Sequence, residues 1–361
     1  MKRILIRADA STQIGFGHVM RCLTLAEQLR KKGCFITFLA RKHAGNLNHL
    51  IKEKKFDVIE LPLHSNQTFQ ENRKPYLEWL GCEQSKDAKD CIAAIQSNSQ
   101  IIDVLIVDHY ALGEQWEKAM RPWVKKIMVI DDLADRKHDC DMLLDQTYGR
   151  KKGDYHGFVS TQTKLLMGSA FALLRQEFSK WRNYSLSRRT EPELKQILIT
   201  MGGVDAFNVT GAVLNVIQNS DLPRFIKFVV VMGRGAPYLK HIKQMVKQLS
   251  FKVEVKVDEK NMAELMANSD LAIGGAGSTA WERCCLGLPS IMIDLAKNQQ
   301  LVAETLSKAG AALLVTKSEL VHIENLLVQL DKSRLNKLSD SAAKIVNGQG
   351  VYCTTHELLS L

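Results

Sequence analysis

Two short loops hold the residues whose types and spacing could do chemistry. In the first, Ile14-Gly15-Phe16-Gly17-His18-Val19-Met20-Arg21 lies between the apolar run Ile4-Leu5-Ile6 and a helical pattern. Its glycines make a tight turn that sets His18 at a helix N-terminus, on the carboxyl edge where open α/β sheets bind ligands. A positive helix end disfavours imidazolium, so His18 is expected to stay neutral and able to take a proton near pH 7. The competing reading is a helix cap or a satisfied core histidine. The turn is not a dinucleotide fingerprint: Met20 stands where the sixth-place glycine belongs, and Arg41 and Lys42, not an acidic residue, follow the second strand. NAD is disfavoured.

The second loop, Gly274-Gly275-Ala276-Gly277-Ser278-Thr279, also joins a strand to a helix. It lacks the lysine of a P-loop. Its three glycines, Gly277 included, let the backbone approach an anion closely, and Ser278 and Thr279 offer hydroxyls and amides at the helix start. A diphosphate is the natural guest, and Glu282, one turn on, could accept hydrogen bonds from ribose hydroxyls. The bland alternative is a glycine-rich turn with a surface glutamate. Asp139-Cys140-Asp141 matches the D-x-D pattern that holds a divalent metal in some glycosyltransferases. Its place just before the apolar Met142-Leu143-Leu144 favours a strand-edge role instead. No metal and no cofactor are expected, and the chain carries neither a zinc-protease nor a serine-hydrolase motif.

These loops need strands and helices to place them. In the first half, near-continuous apolar runs at 4–6, 35–39, 57–61, 101–107 and 127–131 read as buried parallel strands. A helix is expected over 18–32, with Val19, Cys22, Leu23, Ala26 and Leu29 on one face; the polar segment 64–100 reads as an insertion. Residues 149–192 break the alternation and are expected to be a linker. Strands at 196–201, 226–232, 251–256, 270–273 and 290–293 then alternate with helices at 206–217, 237–248 and 261–268. The fold class is therefore α/β, with two Rossmann-like domains whose parallel sheets face a cleft: 1–148, carrying the His18 loop, and 193–361, carrying the glycine loop.

The chain has 361 residues, 45% hydrophobic and 24% charged, which excludes disordered, fibrous and coiled-coil classes. The net charge of +10 is uneven: residues 1–190 hold 31 basic and 22 acidic side chains, residues 191–361 hold 18 and 17. That asymmetry suits a phosphorylated small molecule, or simply a basic solvated surface. The basic residues come as scattered pairs without aromatic interleaving, so no nucleic acid is expected. No run reaches the roughly 18 apolar residues of a membrane span, and the opening is no secretory signal, so a cytoplasmic location is expected, without membrane association. Eight cysteines without a C-x-x-C pair read as reduced thiols, mostly buried.

Taken together, Arg7-Ala8-Asp9-Ala10-Ser11 and Ile14 through Ala26 resemble the opening of the UDP-2,4-diacetamido-2,4,6-trideoxy-β-L-altropyranose hydrolases of pseudaminic-acid biosynthesis. Val107-Asp108-His109-Tyr110, Asp131 through Arg136, His138 through Gln146, Ala172 through Phe178, the GGAGST segment and Asn298-Gln299 extend the likeness over about 7–300. The resemblance implies a GT-B-type architecture and hydrolysis of the anomeric C–O bond, releasing UDP and the free sugar. It implies His18 as general base in the turn of Gly17. Tyr110 and Asn298 would orient the sugar or the attacking water, and Gly275, Ser278, Thr279 and Glu282 would hold UDP. Arg21 falls with the substrate-binding residues and Gln299 with the UDP-binding ones, their individual tasks unassigned, as are those of Asp9 and Asp108. A glycosyltransferase of the same fold, using an acceptor hydroxyl in place of water, is the alternative. A hydrolysing epimerase and a non-enzymatic UDP binder also stay open. A monomer working by domain closure is expected.

Overall fold

A computed structural model describes residues 1–64, 75–97, 101–295 and 297–361, apart from the side chains of Pro75, Lys297 and Asn298. The chain divides into two compact units, Met1–Leu173 with Gly350–Leu361, and Leu174–Gln349. The first holds β1 (Arg3–Ala8), β2 (Phe35–Arg41), β3 (Asp57–Leu61), β4 (Ile102–Asp108), β5 (Val124–Ile130), β6 (Met142–Asp145) and β7 (Lys164–Met167), all parallel, in the order β3-β2-β1-β4-β5-β6-β7. The second holds β8 (Gln196–Thr200), β9 (Lys227–Met232), β10 (Lys252–Val257), β11 (Leu271–Gly275), β12 (Ser290–Asp294) and β13 (Leu313–Thr316), parallel in the order β10-β9-β8-β11-β12-β13. Both sheets reverse their winding beside their first strand, at β1/β4 and at β8/β11. In such sheets ligands sit outside the carboxyl ends at that point. Among the described residues, no helix is long and apolar enough to cross a membrane.

The helix Gly17–Lys31 forms because Val19, Cys22, Leu23, Ala26 and Leu29 recur at helical spacing and all lie in the core. Arg30 and Lys31 in its last turn complement the negative helix end. The segment expected to be a linker, 149–192, is instead built into both units. Lys164–Met167 adds the edge strand β7, and the helix Gln176–Arg188 belongs to the second unit. Buried Tyr155 and Arg150 tie the intervening turn to the sheet, through Asp131 and Asp145. A four-residue strand and a polar turn give no periodicity to read, which is why this stretch looked featureless. The second correction concerns 350–361, assigned by sequence to the second domain. The helix Gly350–Leu359 packs on Gly17–Lys31, burying Val351 and Leu358 in the first core. Gly350 permits the docking, since a Cβ there would stand 2.3 Å from the Ala172 carbonyl oxygen.

Tyr155 carries one hydroxyl proton, yet its oxygen lies 2.9 Å from both Asp131 Oδ2 and Asp145 Oδ2. Below about pH 6 a protonated Asp145 completes the trio by donating to the phenol; above it the Arg150 guanidinium, 2.6 Å from the same oxygen, faces the carboxylate. Burial, and then the neighbouring Asp132 carboxylate, push the Asp145 carboxyl up from 3.8 to about 6. The native state therefore binds a proton that the unfolded chain lacks between about pH 4 and 6. As pH rises through that window, the wild type should lose about 2–3 kcal/mol relative to Asp145→Asn, with a constant difference above it. Denaturant unfolding of both proteins at pH 4 and pH 7 measures this.

Candidate functional site

The carboxyl edge of the first sheet carries an aspartate at or just after four strand ends: Asp9 after β1, Asp108 ending β4, Asp131 and Asp132 after β5, and Asp145 ending β6. Each has a guanidinium. Asp108, fully buried, accepts from Arg21 Nε at 2.6 Å and Arg21 Nη2 at 2.7 Å. Its Oδ1 also lies 2.6 Å from His18 Nδ1, and its Oδ2 3.4 Å from the Cys22 thiol. Burial alone would raise the Asp108 pKa; Arg21 and then His18 outweigh it and hold the group ionised. In a neutral ring, a carboxylate on Nδ1 selects the tautomer that carries the proton there and leaves Nε2 the unprotonated nitrogen. Arg21 reaches on to Asp132 Oδ2 at 2.5 Å, and Tyr110 donates to the same oxygen at 2.9 Å. The Tyr110 ring meets His18 edge to face, with centroids 4.5 Å apart. His18, Arg21, Tyr110 and Asp108 thus form one connected group, opened by the turn that ends at Gly17.

Asp9 has a different task. It lies in a buried lattice with Arg7, Arg41 and Asp87, all four without solvent exposure. Arg7 forks onto Asp9 at 2.6 and 2.8 Å and onto Asp87 at 2.7 Å; Arg41 donates its backbone N–H to Asp9 and its Nη2 to Asp87. Asp9 therefore locks the ends of β1 and β2 to the helix Gln84–Ser97 beneath the His18 loop. Asp139 and Asp141 both pair with Arg121 near the amino end of β6, and Asp141 also accepts from Lys126 and the Ile127 N–H. That is the edge opposite His18.

In the second unit the glycine loop leaves β11 beside β8. Gly274 is required by close packing: a Cβ there would lie 2.3 Å from the Thr200 carbonyl oxygen and 2.8 Å from Arg283 Nη1. Gln299 accepts from the Ala276 N–H at 3.2 Å, and its amide nitrogen lies 3.5 Å from where a Cβ on Gly277 would stand. Arg283 Nη2 donates to the Gly275 carbonyl at 2.6 Å. One peptide plane, Gly275–Ala276, is thus held at both its polar ends. Ser278 is exposed and Thr279 half-buried at the start of the helix Thr279–Cys285. Seven residues make a short helix with a small dipole, so less anion affinity comes from the helix end than the sequence suggested. Glu282 lies on that helix 3.5 Å from Arg175, and burial raises its pKa. The Asn298 side chain lies outside the described residues. Sequence reasoning assigned no task to Asp108 and missed Arg283 altogether. Asp108 stands 90 positions from His18, and an arginine inside a helix carries no local mark of burial.

Two parallel doubly wound units of this kind define a GT-B-type fold, and known structures agree. MurG of Acinetobacter baumannii superposes with a TM-score of 0.71 over 100% of both chains at 16% identity. The S. aureus MnaA–UDP structure gives 0.65 over 99% of this chain and 96% of the other, at 12% identity. Residues 196–352 match the glycosyltransferase family 28 C-terminal domain. Among curated sequences, the UDP-2,4-diacetamido-2,4,6-trideoxy-β-L-altropyranose hydrolase of Campylobacter jejuni is 28% identical over 85% of this chain and 97% of its own length. The spore coat polysaccharide biosynthesis protein SpsG of Bacillus subtilis is 24% identical over 99% and 97%. An uncharacterized protein of Methanocaldococcus jannaschii is 28% identical over 81% of this chain, which spans about half (55%) of that relative. The chain is thus similar to the hydrolases that its opening motif resembles.

Asp87 compensates two buried guanidinium groups at once. Asp87→Asn should therefore cost the first unit about 3–5 kcal/mol, read as a lower urea midpoint with an unchanged second unit.

Proposed function

We propose that this chain hydrolyses the anomeric C–O bond of UDP-2,4-diacetamido-2,4,6-trideoxy-β-L-altropyranose, releasing UDP and the free diacetamido sugar. The observation that carries the reading is His18 held through Nδ1 by the buried Asp108 carboxylate, with Nε2 left as a base. In this scheme a water oxygen attacks the anomeric carbon while its proton passes to His18 Nε2. The bond to the β-phosphate oxygen breaks and its electron pair leaves with UDP. Asp108 stabilises the imidazolium as it forms, and Arg21 keeps Asp108 ionised throughout. Tyr110, braced by Asp132, limits the ring to one orientation and is placed to orient the sugar or the water. Asn298 shares that task.

UDP is assigned to the glycine loop of the second unit: Gly275, Gly277, Ser278 and Thr279 against the diphosphate, Gln299 steadying the loop, and Glu282 toward the ribose. The name of the C. jejuni relative supports this substrate, and the MnaA–UDP structure shows that the fold hosts UDP. UDP is already a competent leaving group, so positioning water and countering the growing diphosphate charge suffice, without a metal.

The test incubates purified protein with the UDP-sugar and EDTA and follows both products by NMR. Free sugar and UDP should appear together in water alone. His18→Ala should lower turnover by about 10²–10⁴-fold and leave UDP binding unchanged. Unchanged turnover in the variant removes His18 from the mechanism. Substrate that stays intact until an acceptor hydroxyl is added would make the chain a transferase.

A further inference from the structure

The second unit contains a buried positive charge with which no described carboxylate pairs directly, although the neighbouring Glu282 lies within its field. Arg283 has no solvent exposure, and its Nε and Nη1 have no hydrogen-bond partner among the described residues. No described carboxylate forms an ion pair with it; by contrast Arg7, Arg21, Arg41, Arg136 and Arg150 of the first unit each have one. Its one bond, from Nη2, goes to the carbonyl of Gly275 in the glycine loop. Nη1 fills the space a side chain on Gly274 would occupy, against the end of β8. The guanidinium therefore lies directly under the loop, at the winding reversal of the sheet. Burial lowers its pKa to about 10, which leaves it charged at neutral pH.

An unpaired buried cation is costly, and such groups gather at ligand sites. Arg189, also buried and without an ion pair to a described carboxylate, spends its donors on the carbonyls of Met266, Ser269 and Leu286, whereas two nitrogens of Arg283 have no described partner. We infer that Arg283 is the positioning residue of the diphosphate site: its charge is the protein's counter-charge to a diphosphate seated on the glycine loop. Holding the Gly275 carbonyl inward, it turns that carbonyl away from the anion. Gln299 ties up the following N–H from the other side, so the amides of Gly277 and Ser278 are the ones left to face phosphate oxygens. Arg283 acts through the loop and through its field, without touching the ligand. This inference rests on the reading of the loop as a diphosphate site, but not on the sugar or on hydrolysis.

The test measures binding of UDP, inorganic pyrophosphate and uridine to the wild type, Arg283→Met and Arg283→Lys by calorimetry, with thermal melting to verify folding. A unit charge several ångströms away at an effective dielectric near 20 predicts a roughly tenfold to hundredfold loss of UDP and pyrophosphate affinity in Arg283→Met, with uridine unchanged. Arg283→Lys should stay within a few-fold of wild type for all three. Equal losses for UDP and uridine, or no loss for UDP, would overturn the inference and leave the proposed function standing. If Arg283→Met fails to fold, the charge-free but polar Arg283→Gln decides: an unchanged UDP-to-uridine preference overturns the inference, and a roughly tenfold or greater loss of that preference supports it. Wild type that binds pyrophosphate in an Arg283-dependent way but not UDP would keep the inference and sink the nucleotide reading.

Discussion

The first unit depends on keeping carboxylates ionised where water does not reach. Parallel strands ending at one edge bring Asp9, Asp108, Asp131 and Asp145 to positions without solvent exposure. An isolated carboxylate there would take up a proton. Guanidinium groups from β1, β2, the His18 helix and the loops after β5 and β6 oppose this at each of them, without outweighing burial at Asp145, and each pairing also fixes a piece of backbone. The strand ends on which the His18 loop is mounted are tied in place through Asp9 and Asp108. Because these internal pairs cancel and the buried charges include more carboxylates than guanidinium groups, the basic surplus of residues 1–190 is carried by the surface.

The two units solve the same topological problem with opposite electrostatics. At the β1/β4 reversal the protein supplies an anion, Asp108, and an imidazole that the anion orients. At the β8/β11 reversal it supplies glycines and a cation. In the first, a buried carboxylate behind an imidazole fixes which ring nitrogen faces outward. In the second, close backbone approach and a buried positive charge suit a ligand bearing phosphate. That division follows from which residue ends the strand: an aspartate on β4, a pair of glycines on β11.

Long apolar strands and the face of the His18 helix were legible in the sequence, because period and burial coincide there. So were the two glycine turns, whose residues are contiguous. The edge strands Lys164–Met167 and Leu313–Thr316 were not, since four residues show no period and an edge position asks little of composition. The destination of the helix Gly350–Leu359 was equally hidden: its pattern says that one face is buried, not against which core. At the site, His18 announced itself through its turn, but the carboxylate behind it and the arginine beneath the glycine loop are set by tertiary contacts across many residues.

The docking of that last helix has a consequence for biosynthesis. Val351 and Leu358, which complete the core of the first unit, leave the ribosome only after the whole second unit has been made. Until then the helix Gly17–Lys31 presents an uncovered apolar face, although the strands it covers are already paired. The first unit therefore cannot finish folding until the second has been synthesised, and meanwhile carries exposed apolar surface of the kind that favours wrong association. A shortened chain ending before Gly350 would keep both loops and both sheets, yet it would carry that open face permanently.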